Sequence, residues 1–151
     1  MAETHASTAP SADADLGIVD GLAQLSFVVQ HELGQVAAEH GLSVIQLRLL
    51  GVLRDRTPGM QELARHLRLD KSSMTGLVDR AERRNLVRRT PAPHDGRVIQ
   101  VSMTEQGHEL VRVCAAEVDR RIRDLTSVLT DTQRTRLART ATILVGSTTT
   151  I

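Results

Sequence analysis

Apolar residues recur at helical spacing along the first third of the chain. Between residues 16 and 40 they lie three or four positions apart, at Ile18, Leu22, Leu25, Val29, Leu33 and Val36. This period places one apolar stripe along a helix, which Gly41 brings to an end. A second stripe follows Ser43, at Leu47, Leu50 and Leu53. Ser43 and Gln46 have the spacing of a capping box, so we expect a second helix that begins there and stops at "RTPG".

The next two helical patterns are shorter and closely spaced. "GMQELARHL" predicts a helix of about two turns, with Gly59 as its N-cap. "LDKSSMTGLVDRAERRN" predicts a longer helix that is capped by Asp70 and ends at Asn85, with an inward face at Met74, Leu77, Val78 and Ala81. Its other face begins with small or polar residues, at Ser72, Ser73, Thr75, Gly76 and Asp79. This order is typical of a helix-turn-helix that approaches base edges, although an ordinary helical hairpin with water-facing serines has the same pattern.

A predicted β-hairpin follows directly and favours the first interpretation. Residues 86–90 and 97–102 are rich in Val, Ile, Leu and Arg, and "PAPHDG" connects them. A hairpin after a recognition helix is a wing, and Arg97 at its tip can enter the minor groove while the helix occupies the major groove. We expect Asp95 to accept a hydrogen bond from the Arg97 guanidinium and so to hold it in place. Alternatively, Asp95 and Arg97 form only a surface ion pair in a turn, which would contribute little by itself.

Charge is distributed unevenly along the chain. The whole sequence is close to neutral, with 19 basic and 18 acidic residues, but residues 80–97 contain six arginines and two acidic residues. Such a patch is either a solvated face or a phosphate-binding surface. Its place beside the predicted recognition helix favours phosphate binding. Phe27 is the one aromatic residue among Phe, Trp and Tyr, which argues against a base-stacking platform for single strands.

The C-terminal third predicts two more helices. One, over residues 105–129, has apolar positions at alternating four- and three-residue steps: Val111, Ala115, Val118, Ile122, Leu125 and Leu129. The other begins near Thr130 or Asp131 and offers Leu137, Ala141, Leu144 and Val145. Because helix-turn-helix proteins generally bind DNA as pairs, these stripes are candidates for a homodimer surface. Packing within one chain fits the same periodicity.

Several other classes of function find little support. The six histidines are scattered, and the sequence contains no Gly-rich phosphate loop, no HExxH and no nucleophile elbow, so we expect no enzyme, no metal and no cofactor. No window approaches the roughly 18 apolar residues of a membrane span, and residues 1–15 predict a loose tail without signal-peptide character. We therefore expect a cytoplasmic protein with no membrane partner.

Two sensing alternatives remain open at this point. A metal-responsive site would need convergence of His31, His40 and His108 with Glu105 or Glu109, whose spacing is not a recognised ligand pattern. Solvent-facing histidines explain the same positions. Cys114 lies on an apolar helix face, where an inert core residue is expected more often than an oxidisable sensor.

Residues 41–110 resemble the MarR family (multiple antibiotic resistance regulators) of winged helix-turn-helix proteins. The resemblance rests on "ELARHLRLDKSSMTGLVDRAERRNLVRR", on "DGR" in the wing, and on "VSMTEQG" after it. Asn85 stands where the family usually has Gly, and Ala81 stands where a larger apolar residue is common. Neither change threatens the fold, because Asn tolerates the left-handed region and Ala remains apolar.

The resemblance implies roles for particular residues. The expected major-groove residues are Ser72, Ser73, Thr75 and Gly76, and those of the wing are Arg88, His94, Asp95 and Arg97. Lys71, Arg80, Arg83 and Arg88 are expected to contact phosphates. The family commonly binds small anionic aromatic compounds between its dimer helices and its DNA-binding lobe, which makes His31 and Arg48 candidate effector contacts.

The expected protein is mainly α with a small β-wing: a winged helix-turn-helix plus a helical dimerisation region. Its segments are a tail (1–15), an N-terminal dimerisation helix (16–40), a DNA-binding lobe (41–103) and C-terminal dimerisation helices (104–146). The expected partner is double-stranded DNA with a pseudo-palindromic operator, bound by a homodimeric repressor that a small-molecule effector releases. The alternatives are a metal-responsive regulator and an architectural or protein-interaction module without an operator.

Overall fold

The computed structural model describes residues 15–148, which form six helices and one two-stranded antiparallel sheet. In chain order these are α1 (Gly17–Glu39), α2 (Val44–Leu53), α3 (Met60–Leu67), α4 (Lys71–Arg83), β1 (Val87–Ala92), β2 (Asp95–Met103), α5 (Glu105–Leu125) and α6 (Asp131–Thr148). The predicted class, mainly α with a small β-wing, is confirmed. The predicted tail lies outside the described residues, except for Asp15.

Side-chain caps determine where several helices begin. The Ser43 hydroxyl accepts a hydrogen bond from the Gln46 backbone N–H (3.3 Å), and the Gln46 side chain accepts one from the Ser43 N–H (2.9 Å), which confirms the capping box. The Thr104 hydroxyl accepts from the Gly107 N–H (3.0 Å) and donates to the Asn85 carbonyl (2.6 Å). Thr104 therefore starts α5 and ties it to the end of α4.

Two non-glycine residues adopt left-handed backbone conformations in the helix-turn-helix. Asn85 has φ 55°, as its place after α4 predicts. Arg68 has φ 55° as well, which the sequence does not signal, because arginine has no preference for this region. The turn requires it: the Leu69 N–H reaches back to the Ala64 carbonyl (2.9 Å) and closes α3 before α4 begins.

The core of the described chain lies where α2, α3 and α4 meet the wing and the facing parts of α1 and α5. Its fully buried side chains are Val36, Leu49, Leu50, Leu63, Met74, Leu77, Val78, Val101 and Cys114. Met74, Leu77, Val78 and Ala81 all point inward, which confirms the predicted inner face of α4. The outer face of α4 is thereby held at the surface.

The wing has a shorter turn than the sequence predicts. Strand pairing runs from Val87 opposite Met103 to Ala92 opposite Asp95, so only Pro93 and His94 remain between the strands. The expectation that "PAPHDG" forms the whole connection was wrong, because Pro91 and Ala92 continue β1 at its irregular end. The Val101 N–H donates to the Pro58 carbonyl (2.9 Å), which anchors β2 to the start of α3.

Helix α5 ends at Leu125, four residues before the predicted end at Leu129. The Thr126 hydroxyl donates to the Ile122 carbonyl (2.8 Å), a local bond that competes with continued helix. At the start of α6 the Gln133 side chain accepts a hydrogen bond from the Thr130 backbone N–H (2.8 Å). The Thr130 hydroxyl accepts one from the Gln133 backbone N–H (3.3 Å). Leu129 consequently lies in the connection and not on the helical seam.

Ion pairs join α1 to α5. The Arg121 guanidinium contacts Glu32 (3.2 Å) and Glu39 (2.6 Å) of α1 and Glu117 of its own helix (2.9 Å). By contrast, α6 has no buried residue, and much of the apolar surface of α1 is bare. Among the described helices none alone is long and apolar enough to cross a membrane; α1 and α2 together meet that test of length and composition, with an 86° bend between them.

Candidate nucleic-acid interface

Helix α4 presents its first polar turns to solvent. Lys71, Ser72, Ser73 and Thr75 are exposed, and Gly76 is half-buried. The carboxylate of Asp70, the N-cap, accepts from the Ser73 N–H (2.8 Å) and hydroxyl (2.6 Å). The side-chain bond from Ser73 is the largest cause that lowers the pKa of Asp70, so the cap stays ionised near neutral pH.

The three hydroxyls of this face differ in what they can offer a base. The Ser73 hydroxyl donates to Asp70, and the Thr75 hydroxyl donates to the Lys71 carbonyl (2.9 Å). Both oxygens therefore retain acceptor capacity while their protons are engaged. Within residues 15–148 the Ser72 side chain makes no hydrogen bond, so Ser72 can donate as well as accept.

Gly76 leaves space beside Arg80. A Cβ placed at Gly76 would lie 3.4 Å from the Arg80 Nη1 atom. The glycine thus lets the arginine run along the helix, and its bare backbone allows another surface to come close.

Four cations of the predicted DNA-binding lobe are uncommitted. Lys71, Arg80, Arg83 and Arg97 make no ion pair with any residue in the described part of the chain. On α5, by contrast, each arginine is paired with a carboxylate: Arg112, Arg120, Arg121 and Arg123. Unpaired cations on one face can neutralise phosphates without first breaking an internal bond.

Arg89 is an exception that the sequence pattern did not reveal. Its guanidinium contacts Asp79 (Nη2 to Oδ1, 2.7 Å), Glu82 and the Thr75 carbonyl (3.3 Å), and its backbone N–H donates to Glu82 (2.9 Å). Only 25% of its side chain is exposed. Arg89 therefore joins the side of α4 to the first strand of the wing, and its single positive charge offsets part of the negative charge of the two α4 carboxylates.

Arg84 is likewise structural. Its Nη1 donates to the Gly41 carbonyl (2.7 Å) and its Nη2 to the His40 carbonyl (3.1 Å), which fastens the end of α4 to the corner between α1 and α2. No local pattern could have distinguished it from its neighbour Arg83.

The wing tip differs from expectation in one hydrogen bond. Arg88, His94, Asp95 and Arg97 are all exposed. The Asp95 carboxylate accepts from the backbone N–H of Arg97 (3.0 Å), and the expected bond to its guanidinium is not formed in the described structure. A carboxylate two residues before a backbone N–H closes a tight local turn, which competes with the longer reach to the side chain. Asp95 shapes the tip and leaves the Arg97 guanidinium free.

A groove of about 740 Å³ lies beside the recognition helix, between α3, α4 and the wing. Its apolar lining includes Met60, Ala64, Met74 and Ile99, and its charged lining includes Arg65, Lys71, Asp79 and Arg89. Any molecule held there would lie against the face of α4 that carries Thr75.

The candidate sensing residues are not brought into one site. Arg48 lines a separate cleft between α2 and α3, and exposed His31 of α1 is not part of that lining. Residues 15–148 contain no group of three or more His, Cys, Asp or Glu side chains that could hold a metal ion. Cys114 is fully buried, and burial raises the pKa of its thiol, as expected of a core cysteine.

Comparison with known proteins agrees with this geometry. The sequence model of the MarR family matches residues 40–98. BadR of Rhodopseudomonas palustris, a transcriptional activatory protein, is 32% identical over 123 residues, which are 76% of this chain and 70% of BadR. The chain belongs to the MarR family. Every candidate DNA contact, from Lys71 to Arg97, lies inside the part that the MarR family model matches.

Two further MarR-type comparisons extend the similarity. The transcriptional repressor NicR of Pseudomonas putida is 35% identical over 88 residues, 56% of this chain and 56% of NicR. The crystal structure of CouR from Rhodococcus jostii RHA1, bound to p-coumaroyl-CoA, superposes with a TM-score of 0.72 at 28% identity and covers 83% of this chain and 89% of CouR. The winged helix-turn-helix prediction is confirmed.

Proposed function

We propose that this MarR family regulator is a homodimer that binds a pseudo-palindromic operator in double-stranded DNA and represses transcription until a small molecule releases it. The observation that carries the DNA-binding part is the segregation of charge: within the described structure Lys71, Arg80 and Arg83 of α4 and Arg97 of the wing are unpaired, whereas the arginines of α5 are paired. Such a surface is suited to a polyanion that is read by short side chains.

Each element then has a role on the duplex. The start of α4 enters the major groove with Ser72, Ser73, Thr75 and Gly76, and the wing brings Arg97 and His94 to the minor groove. Lys71, Arg80, Arg83 and Arg88 contact phosphates, which fix orientation without reading sequence. Asp95 contributes by closing the wing turn.

A second copy of the chain is the natural cover for the bare helices. Helix α6 has 18 residues and buries none of them within its chain, although most helical stability in proteins comes from the packing of an apolar face. On α1, Ile18, Val19 and Phe27 are 74%, 77% and 66% exposed. Paired α1, α5 and α6 helices would bury these surfaces and set two α4 helices at half-sites about one helical turn apart. This assigns residues 16–40 and 104–146 to dimerisation and 41–103 to DNA binding.

The repressor role and the effector rest on relatives. NicR is named a repressor and BadR an activatory protein, and we propose the repressor role of NicR for this chain. The ligand in the CouR structure favours an anionic aromatic effector. Its ring would pack mainly on aliphatic walls, since the chain has one aromatic residue. His31 and Arg48 remain the candidate effector contacts, on different surfaces, and the effector would lower DNA affinity by its differential affinity for the two states.

The decisive experiment is binding of the purified protein to DNA from upstream of its own gene, at physiological salt and against random competitor. Tight binding that survives competitor is the expected result and would provide a release assay for effectors. Binding that is salt-dependent but indifferent to sequence would favour the architectural alternative. An absence of DNA binding would favour a protein-interaction module.

A further inference from the structure

A second basic cleft is lined by residues of α2, of the loop after it and of α3, and by none of α4 or the wing. The end of α2, the loop after it and the last turn of α3 enclose about 300 Å³. Three arginines and a histidine contribute to its lining: Arg48, Arg54, Arg56 and His66. Asp55 is the only acidic residue of the lining.

The acidic residue of this cleft is already engaged. The Arg54 Nε contacts the Asp55 carboxylate at 2.9 Å, so this pair is internally neutral. Arg48 and Arg56 make no hydrogen bond and no ion pair with any residue between 15 and 148. Two uncompensated guanidinium groups that line one cleft repel each other, and an anion between them would relieve this repulsion.

The position of the cleft indicates which anion this is. His66 lies in the last turn of α3, and only Arg68, Leu69 and Asp70 separate α3 from α4. In a helix-turn-helix the first helix crosses the DNA backbone while the start of the second enters the groove. With α4 in the major groove, the last turn of α3 would therefore lie close to the phosphate-bearing strand that borders this groove.

We propose that this cleft binds one phosphate of the DNA backbone beside the groove read by α4, with Arg48 and Arg56 as its ligands. Planar guanidinium groups match phosphate oxygens with paired hydrogen bonds. The inference rests on the proposed DNA-binding function and extends the protein footprint past the recognition helix and wing. It gives Arg48 a role in fixing orientation, without base readout, in place of the effector contact considered above.

The test is the double variant Arg48→Gln/Arg56→Gln, measured on the operator and on a random duplex over a range of salt concentrations. We expect affinity for both duplexes to fall several-fold, their ratio to stay unchanged, and the slope of log affinity against log salt to decrease by about one. Thermal melting should match wild type, because neither arginine has a partner within the described chain.

The matched control is Arg136→Gln/Arg139→Gln, which removes the same charge from exposed arginines of α6 that also lack an ion pair in the described residues. Sedimentation should give this control variant the same mass as the wild type, since α6 belongs to the proposed dimer surface. If Arg48→Gln/Arg56→Gln loses no more affinity for DNA than this control, the inference is overturned. If Arg83→Gln still weakens binding in that case, the proposed function stands. If the wild-type protein binds no DNA duplex, both the proposed function and the phosphate inference are wrong.

A titration of the DNA-free protein with inorganic phosphate distinguishes the source of the phosphate. Weak binding, with no saturation below millimolar concentrations, is expected for a site completed by DNA. Saturable binding that the double variant abolishes, together with an unchanged salt slope, would assign the cleft to a free phosphorylated ligand and overturn the DNA assignment.

Discussion

At the scale of single residues, Arg97 shows how a side chain can be oriented indirectly. Asp95 accepts a hydrogen bond from the backbone N–H of Arg97 (3.0 Å), so the turn presents the arginine while its guanidinium has no partner in the described chain. We expect Arg97→Ala to weaken operator binding by roughly 1–3 kcal/mol, a usual magnitude for a specific contact. Fluorescence anisotropy on a labelled operator measures this loss.

Arg97→Lys is the matched control, because it keeps the charge but loses the planar fork of donors. It should fall between wild type and Arg97→Ala on the operator and equal wild type on random DNA. Unchanged operator affinity in a folded Arg97→Ala variant would remove Arg97 from the interface.

Gly107 is required by a close approach of two backbones. A Cβ at this position would lie 2.1 Å from the Leu86 carbonyl oxygen, where α5 begins against the end of the helix-turn-helix. We expect Gly107→Ala to lower the free energy of unfolding by about 1–3 kcal/mol, because the backbone must move to admit the methyl group. Urea unfolding provides the measurement.

Gly51→Ala is the control for that experiment. Gly51 lies inside α2, and a Cβ there meets no atom within 4 Å. This variant should be more stable by about 0.5–1 kcal/mol, since alanine restricts the unfolded chain and favours helix. Equal effects at the two glycines would contradict the steric explanation.

At the scale of elements, Arg89 couples the recognition helix to the wing. Arg89→Ala would leave the Asp79 and Glu82 carboxylates unpaired beside DNA phosphates. We expect a stability loss on the order of 1 kcal/mol and weaker operator binding, because the loss of the Arg89 charge makes the proposed binding face more negative by one unit. Calorimetry and operator titration together measure the two effects.

Arg112→Ala is the comparison, because it breaks the exposed Arg112–Glu109 pair on α5. That variant should change neither quantity noticeably. If Asp79→Asn in the Arg89→Ala background fails to recover any DNA affinity, charge compensation is not what Arg89 provides.

The ion pairs that Glu117 forms within α5 should make the stability of the fold depend on pH. Side-chain hydrogen bonds from Arg120 and Arg121 lower the pKa of Glu117 from 4.5 to about 2. A carboxyl group with a depressed folded-state pKa stabilises the fold fully above pH 4.5, and this contribution is lost as the pH falls towards 2. Glu117→Gln should therefore be less stable than wild type at pH 7, with a difference that shrinks between pH 5 and 2. A difference that is constant with pH would contradict the ionic origin.

Elements were predictable where their signals are local. Helices α2, α4 and α5 begin with a side-chain cap, at Ser43, Asp70 and Thr104. Each capping bond joins residues three positions apart, so both partners can be read together in the sequence. The end of α5 was missed because Thr126 can either continue a helix or bond its own preceding turn, and the choice depends on how the connection to α6 packs.

At the scale of the whole molecule, the bare apolar stripe of α6 is a surface on which the proposed dimer can be tested. Leu144 is 47% exposed in a helix that buries no residue. We expect Leu144→Glu to convert a dimer into a monomer at micromolar concentration and to lower operator affinity at least about tenfold, since one half-site would be lost. Sedimentation equilibrium gives the mass.

Thr135→Glu is the control, because at 100° per residue Thr135 lies on the opposite side of α6 from Leu144. It should remain a dimer. A wild type that is itself monomeric at micromolar concentration would contradict the dimer.

The sequence by itself determined the helices, their caps, the hairpin and the family, because periodicity, capping and turn chemistry act between residues a few positions apart. Only the tertiary structure decided which arginines are free to meet DNA. Arg83 and Arg84 are adjacent, as are Arg88 and Arg89, yet Arg84 bonds carbonyls 43 and 44 residues away, and Arg89 bonds the side of α4. Electrostatic pairing depends on distance through space, and that distance exists only after the elements have packed.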